Sequence, residues 1–173
     1  MTVTVADDSM DNVSITVNDS IVDIAGNPLI EAVDNLQTVD TVNPTAVYTS
    51  EILAQNQSDN VSSDDDSVVA YTVDFSEPVS GITAGDIRVD GGAGAVVAET
   101  VALSADGLQA TFNVQASDDS VADLVVTVKD TVTDLNGNRL VESSSAPVAV
   151  DTENPEVSTI EAVSYTHLRA HET

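Results

Sequence analysis

Apolar and polar residues alternate with a period of two in several short stretches of the chain, the pattern of strands with one face in a core and the other in water. Val69, Tyr71, Val73 and Phe75 face one way while Ala70, Thr72 and Asp74 face the other. Ile87 and Val89 alternate with Asp86, Arg88 and Asp90; Ala110, Phe112 and Val114 alternate with Thr111 and Asn113. Leu124, Val126 and Val128 alternate with Val125, Thr127 and Lys129. Asp106-Gly107, ahead of the run at 110–114, is a hairpin turn signal. With an opening strand near 45–53 and a closing one on Val148 and Val150, the pattern predicts an all-β, immunoglobulin-like β-sandwich of about seven strands. The polar and acidic stretch 54–67 is read as a loop between the first two strands.

Composition supports the same class. Val (29) and Thr (18) make up over a quarter of the 173 residues. β-branched side chains pack well on a pleated surface and are stiff in a helix. The acids divide into 21 Asp and 9 Glu. A solvated helical surface favours Glu, whereas Asp belongs in turns and in oxygen cages for hard cations.

The alternation also recurs within the chain. Residues 3–44 align with 114–155 at a constant offset of 111 without a gap. Asp7-Asp8-Ser9 matches Asp118-Asp119-Ser120, and Thr16-Val17 matches Thr127-Val128. Asp23, Gly26, Asn27 and Leu29 match Asp134, Gly137, Asn138 and Leu140, and Val39-Asp40-Thr41 matches Val150-Asp151-Thr152. Val13, Ile15 and Val17 are therefore expected to repeat the strand at 124–128. This predicts tandem repeats: 1–40 as the C-terminal part of one copy, 41–151 as a complete copy and 152–162 as the start of a third. The chain is expected to be a piece of a longer array, with any signal or anchor outside it. Residues 163–173, which hold both histidines, share neither the composition nor the alternation of the rest and resemble a translated sequencing adapter.

Charge narrows the partners. Thirty Asp and Glu against four Lys and Arg give a net charge of -26. It stays at -26 without residues 163–173, which remove Glu172 and Arg169 together. Nucleic acids and anionic membranes are held by basic side chains, so this balance excludes both and points to cations. No apolar run is long enough for a membrane span. Cysteine is absent, which excludes disulfides and thiolate metal sites.

Phe75-Ser-Glu-Pro-Val-Ser-Gly-Ile-Thr-Ala-Gly-Asp-Ile-Arg-Val89, then Asp134-Leu-Asn-Gly-Asn138, then Val150-Asp-Thr-Glu-Asn-Pro155, resembles the bacterial Ig-like repeats of giant surface adhesins of the biofilm-associated and RTX types. The resemblance implies an extracellular or cell-surface extender, commonly stiffened by calcium, whose partners are neighbouring repeats of the same chain. In such a sandwich, the pole at which the chain enters also carries the loop between the second and third strands and the loop before the last. Asp40, Glu77, Asp86, Asp134, Asn136 and Asn138 are therefore candidate oxygen ligands for Ca²⁺, with Asp151 in the same role at the next linker. The opposite pole offers Asp64, Asp65, Asp66, Asp118 and Asp119 near Asp151 and Asn154. Asp and Asn in Asp-x-x-Gly-Asn are also common turn formers, and Asp40 or Asp151 then accepts only backbone bonds.

Catalysis is not expected. Residues 1–162 contain no His and no Cys, which removes imidazole acid/base chemistry and thiol nucleophiles. Sugar-binding subsites usually need aromatic platforms, and Tyr48, Tyr71, Phe75 and Phe112 mostly fall on core-facing strand positions. Arg88, Lys129 and Arg139 are expected in surface ion pairs of little value. A glycan- or protein-binding module is the alternative function, and an accessory domain of a secreted hydrolase a weaker one.

Overall fold

The fold is taken from a computed structural model, which describes residues 3–17, 20–30, 36–54, 67–92, 94–118, 121–153 and 156–162. The strands in chain order are β1 (Met10–Val13), β2 (Gln37–Asp40), β3 (Ala46–Ala54), β4 (Val68–Phe75), β5 (Ile87–Val89), β6 (Gly94–Leu103), β7 (Gln109–Ala116), β8 (Val121–Leu124), β9 (Val126–Val128), β10 (Ser143–Ser144) and β11 (Val148–Asp151). Among the described residues the only helices are 3-10 turns at Ala84–Asp86 and Asp90–Gly92. None of the helices among the described residues is long and apolar enough to cross a membrane.

Residues 46–151 form a two-layer sandwich. One sheet has the order β3-β4-β7-β6, antiparallel throughout. The facing layer contains the ladders β10-β9-β5 and β11-β8. β8 and β9 are consecutive stretches of one strand, broken at Val125, and β10 and β11 run along the same side of it with the register displaced by one residue. The layers thus hold four and three strands, in the arrangement of a constant-type immunoglobulin domain.

The core follows from the alternation. Val69, Tyr71, Val73 and Phe75 of β4 and Ala110, Phe112, Val114 and Ala116 of β7 are all buried. Tyr71 and Phe112 are register partners whose rings stack at 5.6 Å, a contact between the two central strands. Leu124, Val126, Val128 and Val150 close the core from the other layer. Tyr48 on β3 reaches across: its hydroxyl donates to the Ser143 carbonyl at 2.6 Å and accepts the Val128 N–H at 3.1 Å.

One strand lay outside the alternation pattern, and one strand expectation is met only in part. β6 has no clear alternation, because its residues are mostly half-buried and its register slips between Val97 and Ala102. Thr100 bridges that slip, accepting the Asn113 N–H and donating to the Val97 carbonyl. In the first copy, the strand expected through Val13, Ile15 and Val17 is seen over Met10–Val13; residues 14–17 have no ladder partner among the described residues, and positions 32–33, the counterparts of β10, lie outside them. Of the acids expected at the far pole, Asp64, Asp65, Asp66 and Asp119 lie outside the described residues, as do Asn154, the stretch 55–66 and residues 163–173.

The cations behave mostly as foreseen. Arg88 pairs with Asp90 and Glu142, and Arg139 with Asp130, all well exposed and so worth little. Lys129 instead donates to the Gly85 carbonyl at 2.7 Å.

Candidate metal centre

Three segments meet at the pole where the chain enters the sandwich. The first is the linker. The Asp40 carboxylate accepts the Val42 N–H at 3.0 Å, an Asx turn that starts the approach to β3. Pro44 is buried, and its carbonyl accepts the Val141 N–H at 2.8 Å.

The second segment follows β4. The Ser76 N–H donates to the Thr45 carbonyl, and the Val79 N–H donates to the Gly107 carbonyl at 3.0 Å, so Glu77 is fixed from both sides. Gly107 has φ 74°, and a Cβ there would lie 2.9 Å from the Val79 carbonyl oxygen. Only glycine fits a turn that is both left-handed and this close to its neighbour.

The third segment is Asp134-Leu-Asn-Gly-Asn138. Buried Val132 and Leu140 anchor its stems, joined by the Leu140 N–H to the Val132 carbonyl. Asp134 Oδ1 accepts the N–H groups of Asn136 (2.8 Å) and Asn138 (2.7 Å), while Oδ2 accepts the Asn138 side-chain amide at 2.8 Å. Gly137 has φ 92°, which the turn requires.

Carboxylate oxygens of Asp40, Glu77 and Asp134 lie within 4.8 Å of one another. Glu77 Oε1 is buried without a hydrogen-bond partner. Burial pushes the Glu77 carboxyl above its usual range, and the charges of Asp40 and Asp134 push it further. Burial also opposes ionisation of Asp134, but the bonds from Asn138, Asn136 and Gly137 outweigh it and hold that carboxyl below the usual range. One group is therefore a well-satisfied anion, and its neighbour is a half-buried acid with one buried, idle oxygen.

The remaining candidates separate. Asn136 and Asn138 turn their amide nitrogens toward the acids, at 3.0 Å from Asp40 Oδ2 and 3.1 Å from the Asp40 carbonyl. They act as donors that tie the linker to the turn. Asp86 is not in the cluster: its carboxylate takes the Thr83 N–H, the Thr83 hydroxyl and the Thr131 hydroxyl, which caps the 3-10 turn and lowers its pKa. Asp151 is not there either. It accepts the Glu153 N–H at 3.1 Å, as Asp40 accepts Val42, and the positions one period after Glu77 and Asp134 fall beyond residue 173.

Thr41 plays a part that the sequence pattern shows without explaining. Its hydroxyl bonds back to the Ala6 carbonyl at 3.0 Å, and the Thr152 hydroxyl bonds to the Ser117 carbonyl at 2.7 Å. In each Asp-Thr pair the Thr holds the strands before the linker. Asp40 meanwhile holds the turn after it.

The acid cluster suits a hard divalent cation. Three carboxylates supply up to six oxygens, and a buried oxygen without a partner is what a bound ion would satisfy. With no imidazole or thiolate in the cluster, soft transition metals are disfavoured.

A seven-strand sandwich of this topology, with its acids gathered where the linker enters, is the class of an immunoglobulin-like module. The family model described as bacterial Ig-like domain matches residues 40–152, and the chain belongs to that family. Domains of this family are generally non-catalytic and typically extracellular or surface-associated. Neither the curated proteins nor the solved structures give a significant match.

Proposed function

We propose that the chain is a non-catalytic extender of a bacterial cell-surface or secreted adhesin, in which Ca²⁺ at Asp40, Glu77 and Asp134 stiffens the junction between consecutive repeats in support of adhesion and biofilm formation. The observation that carries this reading is the mixed origin of the cluster. Asp40 belongs to the linker, whereas Glu77 and Asp134 belong to the body of the sandwich. A cation shared among them would fix the linker to the domain it leads into. Repetition of Asp-Thr-x-Asn-Pro at 40–44 and 151–155 supplies the same chemistry to each junction.

Extracellular modules bind Ca²⁺ with dissociation constants of about 0.1–1 mM, a range populated outside cells and not in the cytosol. The glycan- or protein-binding alternative receives less support, because Tyr71, Phe75 and Phe112 are spent in the core and Tyr48 between the sheets. Isothermal calorimetry together with small-angle scattering, in calcium and then in chelator, is the test. Heat of binding at millimolar calcium with a longer, narrower particle is expected. No heat and identical scattering curves would sink the proposal.

A further inference from the structure

The described residues of 3–40 and of 114–151 repeat one strand ladder and one turn. β1 pairs with β2 from Met10↔Asp40 to Val13↔Gln37, and β8 pairs with β11 from Val121↔Asp151 to Leu124↔Val148. Every partner is displaced by the same 111 positions. The bridge Val22↔Pro28 likewise corresponds to Thr133↔Arg139. The bond from the Leu29 N–H to the Ile21 carbonyl corresponds to that from Leu140 to Val132.

What differs is the covering. Val3, Ile15, Val17, Ile21 and Leu29 are 37% to 55% exposed, whereas their counterparts Val114, Val126, Val128, Val132 and Leu140 are at most 2% exposed. Positions that face outward match instead: Met10 and Val121 are both 64% exposed, and Ile24 and Leu135 are both open. The bare apolar face of residues 3–40 is thus the face that becomes core in the complete sandwich. Ile21, Val22, Pro28, Leu29 and Ile30 line an open, mostly apolar hollow on it.

We infer that the described residues of 3–40, with Val3 itself continuing the strand equivalent to β7, are a docking surface for a four-stranded antiparallel sheet of the β3-β4-β7-β6 type, presenting an inward row like Val69, Tyr71, Val73 and Phe112. The match to the buried copy identifies this occupant, because Val126, Val128, Val132 and Leu140, the counterparts of Ile15, Val17, Ile21 and Leu29, share one buried core cluster with those side chains. A second copy of the chain is a poor source. Each chain holds such a sheet once and the complementary half twice, so a sheet given to residues 3–40 leaves residues 121–151 bare. The inference rests on the repeat and is independent of any cation.

The test uses the absence of cysteine from the chain. Ile21→Cys and Val132→Cys are made singly, and thiol labelling is followed in chelator with and without a duplicate of residues 41–111 fused ahead of Met1, which continues the 111-residue period. With the fusion, labelling at 21 is expected to slow by about 100-fold toward the rate at 132, as burial in a cooperative core requires. A fusion carrying the equivalent of Tyr71→Asp should leave position 21 fast. Val17→Cys is the second probe, should Ile21→Cys disturb the turn. Fast labelling at 21 and 17 in the fusion, with 132 still protected, overturns the inference. Slow labelling at 21 in the unfused chain, with dimers in the ultracentrifuge, overturns it too, since a second copy would then be the occupant.

Discussion

Asp23 and Asp134, 111 residues apart, accept the same set of hydrogen bonds. Asp23 Oδ1 takes the N–H groups of Ala25 and Asn27, and Oδ2 takes the Asn27 amide at 2.9 Å, bond for bond as in Asp134-Leu-Asn-Gly-Asn138. Yet Asp23 is exposed, and no four-stranded sheet stands behind it. The bonds of the turn are therefore written into its five residues. The candidate site arises only where Asp40 and Glu77 are brought against such a turn. Ala25 stands where the second copy has Asn136, so the first turn lacks the amide that reaches the linker carboxylate.

This separates two roles of Asp134. Replacing it by Ala removes the acceptor of several N–H groups in a buried turn, and each bond to a charged acceptor contributes about 1.5–3 kcal/mol net. A loss of about 3 kcal/mol is expected from urea unfolding in chelator, before calcium is considered. Asp23→Ala breaks the same bonds in the open and should cost far less, because water replaces them. Equal losses for the two would show that the burial of Asp134 is irrelevant.

Glu77→Gln is expected to change sign with calcium. Without cation, the substitution removes a half-buried negative charge that faces two others, and carboxylates about 4 Å apart repel by about 1 kcal/mol even at the dielectric of water. The variant should then melt above the parent in chelator. With 10 mM calcium and a dissociation constant of 0.1–1 mM, the parent gains about 1.4–2.7 kcal/mol by mass action, or roughly 5–10 °C. The variant should gain far less, so the two melting curves cross. A variant that melts lower under both conditions would deny that Glu77 is destabilising in the ion-free domain.

Opposite pKa shifts in neighbouring carboxyls give the ion-free domain a two-limbed pH profile. The Glu77 pKa is raised by folding, so its contribution is fully present below its unfolded value and is lost as pH rises through the folded one. Asp134 is lowered, so its contribution is present above its unfolded value and is lost as pH falls through the folded one. From neutral pH downward, stability in chelator should first rise as Glu77 takes a proton, then fall below about pH 4 as Asp134 does. Urea midpoints across pH 3–8 measure this, and the difference from Glu77→Gln isolates the upper limb from the relief of net charge that any acidic protein enjoys. With calcium present the upper limb should reverse, since protons and the cation compete for Glu77.

Alternation revealed strands that have one dry face and one wet face. β4 and β7 satisfy that condition residue by residue, which is why their cores could be named from sequence. β6 does not, because an irregular edge strand buries parts of both faces and leaves no period of two. Residues 14–17 carry the pattern of β9, but a strand also needs a partner ladder, and the counterparts of β10 at 32–33 lie outside the described residues. At the site, loop order in a sandwich brought Asp40, Glu77 and Asp134 to one pole. It could not show that Thr83 and Thr131 claim the Asp86 carboxylate, nor that Asn136 and Asn138 point nitrogen rather than oxygen at the acids. Those outcomes depend on side-chain geometry that spacing does not encode.

Tyr48 supplies a prediction remote from the acids. Its hydroxyl sits where Ser143 and Val128 face each other in the β10-β9 ladder, and it serves both, accepting the Val128 N–H and donating to the Ser143 carbonyl. Phe at this position keeps the ring and strands two half-buried backbone groups, at about 1–3 kcal/mol for groups left without partners. Amide exchange at Val128 should accelerate beyond what the global loss of stability explains, because the opening is local to β9 and β10. Tyr71→Phe is the matched control. Its hydroxyl lies 3.4 Å from the Leu124 carbonyl, a weak bond, and the ring stack on Phe112 survives, so the loss should stay under about 1 kcal/mol. If Tyr71→Phe proved the costlier of the two, the sheets would be held at this end by packing alone, and the Tyr48 bridge would be incidental.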